Sequence, residues 1–192
     1  KMILILKAIV MGIVEGLTEF LPISSTGHLI ITEELMGFDS EKFNILFEIV
    51  IQLGAILAVV YYYRAKIFQS LKELMPGRAG FNLWFKIFVA FLPSAIIGLM
   101  LNDFIETYLF SSLTVAIALV VGGILMILIE NAFGRGGLND MEKASLKQAF
   151  IIGIAQCFAL SPGMSRSAST IMGGLIAGLS TKAAAEFSFF LA

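Results

Sequence analysis

Residues 15–28 read Glu15-Gly16-Leu17-Thr18-Glu19-Phe20-Leu21-Pro22-Ile23-Ser24-Ser25-Thr26-Gly27-His28. Pro22 cannot continue a helix, because its ring removes an amide donor and crowds the preceding turn. Ser24, Ser25 and Thr26 then offer an N-cap for a new helix toward Met36. Ahead of Glu15 lies an apolar run, Ile3–Val14, too short to cross a bilayer. Helix, break, polar turn and helix predict a re-entrant hairpin over residues 1–36. Non-helical backbone at membrane depth is tolerated only where it faces protein or a wet cavity.

A second stretch repeats this plan. Leu146–Leu160 is largely apolar, Pro162-Gly163 breaks it, and Ser165–Thr170 opens another helix. A second hairpin is therefore expected over residues 146–179. Ala8–Glu15 lies over Ala149–Gln156 in one register, and Phe47-Glu48 has a looser echo in Glu186-Phe187. Between the hairpins lie three long apolar segments, Phe43–Tyr63, Phe81–Leu101 and Tyr108–Ile129. At about 1.5 Å per residue each covers about 30 Å, the thickness of the hydrocarbon core. Tyr61-Tyr62-Tyr63 and Trp84 sit at segment ends, as interfacial aromatics do. An odd number of crossings makes the second hairpin enter from the opposite face, which is the inverted-repeat plan with a shared midplane site. The expected fold is thus all-α: a polytopic membrane helical bundle with an inverted-topology repeat and two re-entrant helix hairpins. It forms one membrane domain over 1–192, with repeat one at about 1–129 and repeat two from about 146.

Composition agrees. The chain has 192 residues, 58% hydrophobic and only 14% charged, with mean hydropathy +0.94; a soluble domain is nearer one quarter charged. A net charge of −1 gives no reason to expect nucleic acid as a partner. The single cysteine, Cys157, cannot form an internal disulfide and reads as a small core residue. One His and one Cys exclude a zinc site of the usual kind, so any metal would be a hard cation on carboxylates. No cleavable signal peptide is expected.

Loop charge sets orientation. Arg64, Lys66, Lys72 and Arg78 follow the first span, and Arg135, Lys143 and Lys147 follow the third. Asn102–Thr107, read as the intervening connection, carries Asp103 and Glu106 but no Lys or Arg. Positive loops stay inside, so 64–80 and 130–147 are expected in the cytoplasm, with Asp39–Lys42 and Asn102–Thr107 outside.

The polar residues of the two hairpins are the candidate site. Glu15 and Glu19 stand four apart, on one helix face, and repel; a proton, a cation or an arginine must compensate. Arg166 is the only arginine in an apolar setting and is the natural partner. Its planar fork suits phosphate or carboxylate, and Ser165, Ser167, Ser169 and Thr170 surround it at a helix start that favours anions. An oxyanion such as phosphate is the expected ligand; a structural Arg166–carboxylate salt bridge with capping hydroxyls is the plainer reading. Ser25 and His28 stand three apart, as a nucleophile and its base can, although His28 could equally be a hydrogen-bonded hairpin residue. Glu48 and Gln52 either line the same cavity or bridge helices.

At these residues the chain resembles the undecaprenyl pyrophosphate phosphatase family, integral membrane lipid pyrophosphatases linked to bacitracin resistance. Residues 15–28 match the family's first signature and Pro162–Ser167 with Thr170 its second, while Phe47-Glu48 and Gln52-Leu53-Gly54 are also similar. One departure is Ala168, where the family usually has glycine. Against the family, repeat two is expected to be incomplete, since Ser180–Ala192 cannot complete a crossing. The resemblance implies removal of the terminal phosphate of a C55 polyprenyl pyrophosphate, giving the monophosphate carrier of cell-wall glycans. It implies a multi-pass plasma-membrane protein whose site opens to the extracytoplasmic side, among membrane lipids; a homodimer is compatible with it. Glu15 and Glu19 would hold a divalent cation, Mg²⁺ or Ca²⁺. Ser25, His28, Glu19 and Arg166 would be catalytic. Arg166, Ser165, Thr170, Ser24 and Thr26 would bind substrate. A phosphoserine at Ser25 and a water oriented by it both stay open. The competing reading is a polyprenyl-phosphate flippase, because broken helices in inverted repeats are a common transporter plan.

Overall fold

The computed structural model describes residues 2–37, 45–109 and 111–192. The expected outer loop Asp39–Lys42 and the first residues of the 43–63 span lie outside the described residues. Nine α-helices account for most of the rest: α1 (Met2–Thr18), α2 (Ser25–Met36), α3 (Ile45–Tyr62), α4 (Arg64–Lys72), α5 (Ala79–Tyr108), α6 (Ser112–Phe133), α7 (Leu146–Gln156), α8 (Arg166–Ile176) and α9 (Thr181–Leu191). Short 3₁₀ turns occur at Met141–Lys143 and Cys157–Leu160. Among the described residues there is no strand beyond one isolated bridge between Leu138 and Leu179.

Two helices, Ala79–Ile105 within α5 and Ser112–Phe133, are long and apolar enough to cross a membrane, and α3 with α4 adds a third if the bent pair counts as one. Their surfaces carry exposed large apolar side chains such as Leu46, Leu99, Leu113 and Val120. Apolar area of that extent is covered in water-soluble monomers and is at home in lipid.

Two boundaries differ from expectation. Arg64–Lys72 is not a loop but a short helix, bent 73° from α3. Arg64 and Lys72 are exposed, while Trp84 Nε1 donates to Ser70 Oγ at 3.0 Å, pinning the helix to α5. The expected connection Asn102–Thr107 is also helical, because no Gly or Pro follows Gly98 to stop the helix. Helix α5 runs on to Tyr108, and Ser111 Oγ accepts from Thr114 N at 3.1 Å at the start of α6.

The tightest packing joins α5, α7, α8 and α9. Leu83, Ile87, Ile152, Ile171, Leu175, Leu179 and Phe187 form a buried cluster there. Small residues let the backbones approach: a Cβ on Gly153 would stand 2.4 Å from Ala90 O, and one on Gly174 2.6 Å from Ala184 Cβ. At one end of this core Lys66 Nζ bridges Glu186 Oε1 at 2.9 Å and Glu142 Oε1 at 3.1 Å. Lys86 Nζ donates to the Glu142 carbonyl at 2.6 Å. The two basic segments after α3 and α6 therefore lie side by side.

Each helix pair flanking a break is tied at its open end. Lys7 Nζ donates to Gly37 O at 2.9 Å across α1 and α2. Gln148 Nε2 donates to Ala177 O at 2.9 Å across α7 and α8. The two breaks, at 19–24 and 161–165, meet in the interior.

Candidate active site

The first break begins where α1 ends. Glu19 lies one residue past the helix, with its N–H still donating to Glu15 O at 2.9 Å. Pro22 stops continuation, and the chain turns through Ile23 and Ser24. Ser24 has φ +63°, unusual for a residue with a Cβ. That turn aims Ser24 Oγ at Gly27 N, 3.4 Å away, and starts α2 at Ser25. In the second break, Gly163 at φ +92° passes against the backbone of Val115, where a Cβ would stand 2.5 Å from the Val115 carbonyl. Ser165 Oγ then accepts from Ala168 N at 3.2 Å and starts α8 at Arg166.

The two breaks are joined by polar contacts. Arg166 Nη2 donates to Glu19 Oε1 at 2.5 Å. Ser25 Oγ donates to the other oxygen, Glu19 Oε2, at 2.6 Å. Gln52 Nε2, from α3, reaches Glu19 Oε1 at 3.4 Å. Ser167 Oγ donates to Leu21 O at 2.8 Å and pairs with Ser165 Oγ at 3.0 Å. Glu19 is thus a buried hub between the starts of α2 and α8. Beside it opens a cavity of about 210 Å³ lined by Glu19, Ser24, Ser25, Thr26, Gln52, Met164, Ser165 and Arg166, with Ala159. The starts of α2 and α8 border this space, a setting that suits an anion.

A smaller cavity of about 100 Å³ adjoins it through Ser25, Thr26 and Gln52 and is lined by Glu15 and Glu48. Glu15 is buried and its Oε2 has no hydrogen-bond partner. A buried carboxylate oxygen without a donor asks for a positive partner. Among the described residues no group of three or more His, Cys, Asp and Glu side chains is arranged for a metal. A hard cation such as Mg²⁺ needs only one or two carboxylates when waters and substrate phosphates complete its shell. Glu15, with Glu19 and Glu48 near it, fits that requirement.

Most of the residues expected at the site meet here: Glu15, Glu19, Ser24, Ser25, Thr26, Ser165 and Arg166 line one cavity or the other. Two do not stand as expected. Thr170 is turned away from the cavity, its Oγ1 donating to the Arg166 and Ser167 carbonyls at 3.0 and 3.1 Å and paired with Ser188 Oγ of α9 at 2.6 Å. Position 170 lies one helical turn beyond Arg166, so it backs the arginine's helix instead of facing its ligand. His28 does not pair with Ser25. Its Nδ1 lies 2.8 Å from the Ser24 carbonyl, because a residue four positions on in a helix meets the N-cap carbonyl, not the next side chain. The base that contacts Ser25 is Glu19, across the break. Met164 and Ala159 complete the wall; apolar residues beside a break leave no signal of chemistry in a sequence this apolar.

The same chain matches known proteins along nearly its whole length. It matches the family described as bacitracin resistance protein BacA over residues 8–192. It is 66% identical over 190 residues to an undecaprenyl-diphosphatase of Thermoanaerobacter sp. (strain X514), covering 98% of this chain and 70% of that protein. An undecaprenyl-diphosphatase of Caldanaerobacter subterraneus subsp. tengcongensis is 64% identical over 193 residues, covering 100% and 71%. One of Cellvibrio japonicus is 49% identical over 191 residues, covering 100% and 70%. With both helix breaks, their carboxylates and Arg166 inside the matched region, the chain belongs to the BacA bacitracin resistance family.

Proposed function

We propose that this protein is an undecaprenyl-diphosphatase: it hydrolyses the terminal phosphate of undecaprenyl pyrophosphate and yields the monophosphate. The observation that carries the reading is the double engagement of Glu19, with Ser25 on one oxygen and Arg166 on the other, at the wall of an anion-sized cavity. Phosphoryl transfer needs positioning and charge neutralisation more than covalent assistance. Arg166 supplies a fixed positive fork for the phosphates. Glu19 Oε2, already accepting the Ser25 hydrogen, takes that proton as Ser25 Oγ bonds to the terminal phosphorus. The bond from that phosphorus to the bridging oxygen breaks, and the lipid monophosphate leaves. Water then releases inorganic phosphate from Ser25. His28 Nδ1 anchors on the Ser24 carbonyl, which holds the start of α2. Ser24, Thr26 and Ser165 offer hydroxyls to the phosphates. A divalent cation at Glu15 and Glu19 would neutralise the remaining phosphate charge. A flippase would use the arginine and the hydroxyls but has no need of a serine held on a carboxylate, and that pair favours the enzyme.

The hairpins are re-entrant and inverted in this reading. Support comes from their tied ends. The open end of the first lies at Gly37, on the side where α3 starts. The open end of the second lies beside the basic segments gathered around Lys66 and Glu142. Its positive charge supports a cytoplasmic position for that second side, in a bacterial inner membrane. In this reading the site opens to the extracytoplasmic side.

The test is phosphate release from undecaprenyl pyrophosphate by the purified protein in detergent, with and without EDTA. Release that stops on chelation and returns with Mg²⁺ or Ca²⁺ supports the reading. Lipid binding without phosphate release at any cation concentration refutes it and restores the flippase.

A further inference from the structure

A polyprenyl pyrophosphate joins a highly charged group directly to an oily chain. The two ends need different surroundings within a bond or two of each other. Around the central cavity the walls divide in this way. On one side, through Ser25, Thr26 and Gln52, lies the acidic cavity of Glu15 and Glu48. On the other, through Ser24 and Ser165, lies a third cavity of about 220 Å³. Its walls are Pro22, Ile23, Leu119, Gly122, Gly123 and Ala168, together with Gly163.

We infer that this third cavity seats the first isoprene units of the lipid, and that Gly123 of α6 sets how bulky that segment may be. The inference rests on the phosphatase reading above. Ser25 must face the terminal phosphate, so the ester-linked phosphate and its chain leave past Ser24 and Ser165. The wall there is largely apolar and lies between the first break, α6 and α8. The other apolar cavity, lined by Phe20, Tyr63, Trp84 and Phe189, shares no residue with the central one and cannot take a carbon bonded to the ester oxygen.

Room in the third cavity depends on missing side chains. Gly122 packs under Met164, where a Cβ would stand 2.9 Å from its Sδ, so it serves packing. Gly123 differs: it is exposed, and a Cβ there would meet nothing within 4 Å. A larger residue at 123 therefore grows into the cavity without disturbing the helix contacts. Ala168 contributes its methyl to the opposite wall, at the position where the family's second signature usually has glycine.

Gly123→Leu and Gly123→Ala in the purified protein test this, with farnesyl pyrophosphate as the isoprenoid substrate and inorganic pyrophosphate as a competing headgroup. The expected result is a graded rise in KM for farnesyl pyrophosphate, about tenfold for leucine, equivalent to losing roughly two buried CH₂ groups. The inhibition constant for inorganic pyrophosphate stays within about twofold, since the headgroup seat is untouched. An unchanged KM, or KM and inhibition constant rising together, overturns the inference while leaving the phosphatase reading intact. A wild-type protein that releases no phosphate from farnesyl pyrophosphate or undecaprenyl pyrophosphate overturns the phosphatase reading itself. Should the leucine variant fail to fold, wild type is photolabelled with a farnesyl pyrophosphate analogue bearing a diazirine on its first isoprene. Label on the Leu119–Gly123 segment supports the seat, and label confined to α3 or α9 refutes it.

Discussion

Replacing Arg166 with alanine separates two roles that fall on one side chain. Structurally, its guanidinium is, among the described residues, the only cation hydrogen-bonded to Glu19, at 2.5 Å. The Glu19 side chain is 6% exposed and that of Arg166 33%. Removing one member of a fully buried ion pair costs about 3–5 kcal/mol, because the other charge is left unpaired. Arg166 is partly wet, so solvent screening brings the expected loss down to about 1–2 kcal/mol. That corresponds to a fall in Tm of roughly 2–8 °C for a chain of this size. Chemically, an arginine that stabilises a transferring phosphoryl group is worth about 10³–10⁵-fold in rate.

The double variant Arg166→Ala/Glu19→Gln tells the two effects apart. With Glu19 neutral, the unpaired charge is gone and thermal stability should recover most of the loss. Activity should not recover, because Ser25 has lost its proton acceptor and the phosphates their cation. Arg166→Lys keeps charge without the planar fork and should fall between wild type and alanine. The assays are phosphate release from undecaprenyl pyrophosphate and thermal unfolding in the same detergent. Arg166→Ala within tenfold of wild-type kcat/KM would sink the assignment. So would a double variant no more stable than Arg166→Ala, since the pair would then carry no buried charge.

Ser25→Ala should lose about 10³-fold or more in kcat, and rapid acid quench of wild type should trap phosphate on Ser25; His28→Ala should cost less, and equal losses would argue that the histidine, not Glu19, serves Ser25. Ser24→Gly should leave stability within about 1 kcal/mol, relief of the positive φ offsetting the lost cap, yet lower activity as Ser25 loses its fixed direction; unchanged kcat would show that the strain serves nothing. Gly153→Val should destabilise by about 2–3 kcal/mol or prevent folding, because its side chain would enter the Ala90 backbone; a wild-type melting curve would mean that α5 and α7 are not packed as described.

Much of this was legible from Pro22, Pro162 and the residues after them. Proline ends a helix by covalent geometry, and a serine beside it starts the next, so both breaks and both caps follow from local chemistry alone. Apolar length likewise marked the spans. What failed were inferences that needed a face or a neighbour. Arg64–Lys72 is rich in charge and looked like a loop, but one face packs on α5 through Ser70 and Trp84. Asn102–Thr107 looked like a connection because it is polar, yet polarity does not stop a helix without a breaker. Thr170 as a cavity residue and His28 as the partner of Ser25 failed for a shared reason. Helix-face spacing places Thr170 relative to Arg166 but not relative to a cavity. Ser25 and Glu19 are six apart across a turn, a relation that no helical period describes.

The repeat register proposed above makes sense of the site's asymmetry. The alignment that lays Ala8–Glu15 over Ala149–Gln156 also lays Ser24 over Ser165, and these two serines cap α2 and α8 with the same bond to the third residue on. In that register Ser25 falls on Arg166. The first positions of α2 and α8 thus carry Ser25 and Arg166, and both bond to one carboxylate. Glu19 has Leu160 as its counterpart, so the second hairpin brings no competing charge into the cavity. Glu15 and Gln156 complete the pattern. Both are buried with one oxygen lacking a partner, but Gln156 is neutral and its amide is spent on Ser94. The starts of α2 and α8 meet at one carboxylate, and the residues that differ between the two breaks divide the polar contacts there. An exchange that restores symmetry, Gln156→Glu, puts a second uncompensated carboxylate among apolar helices. It should lower stability far more than Glu15→Gln, although the two side chains have the same size.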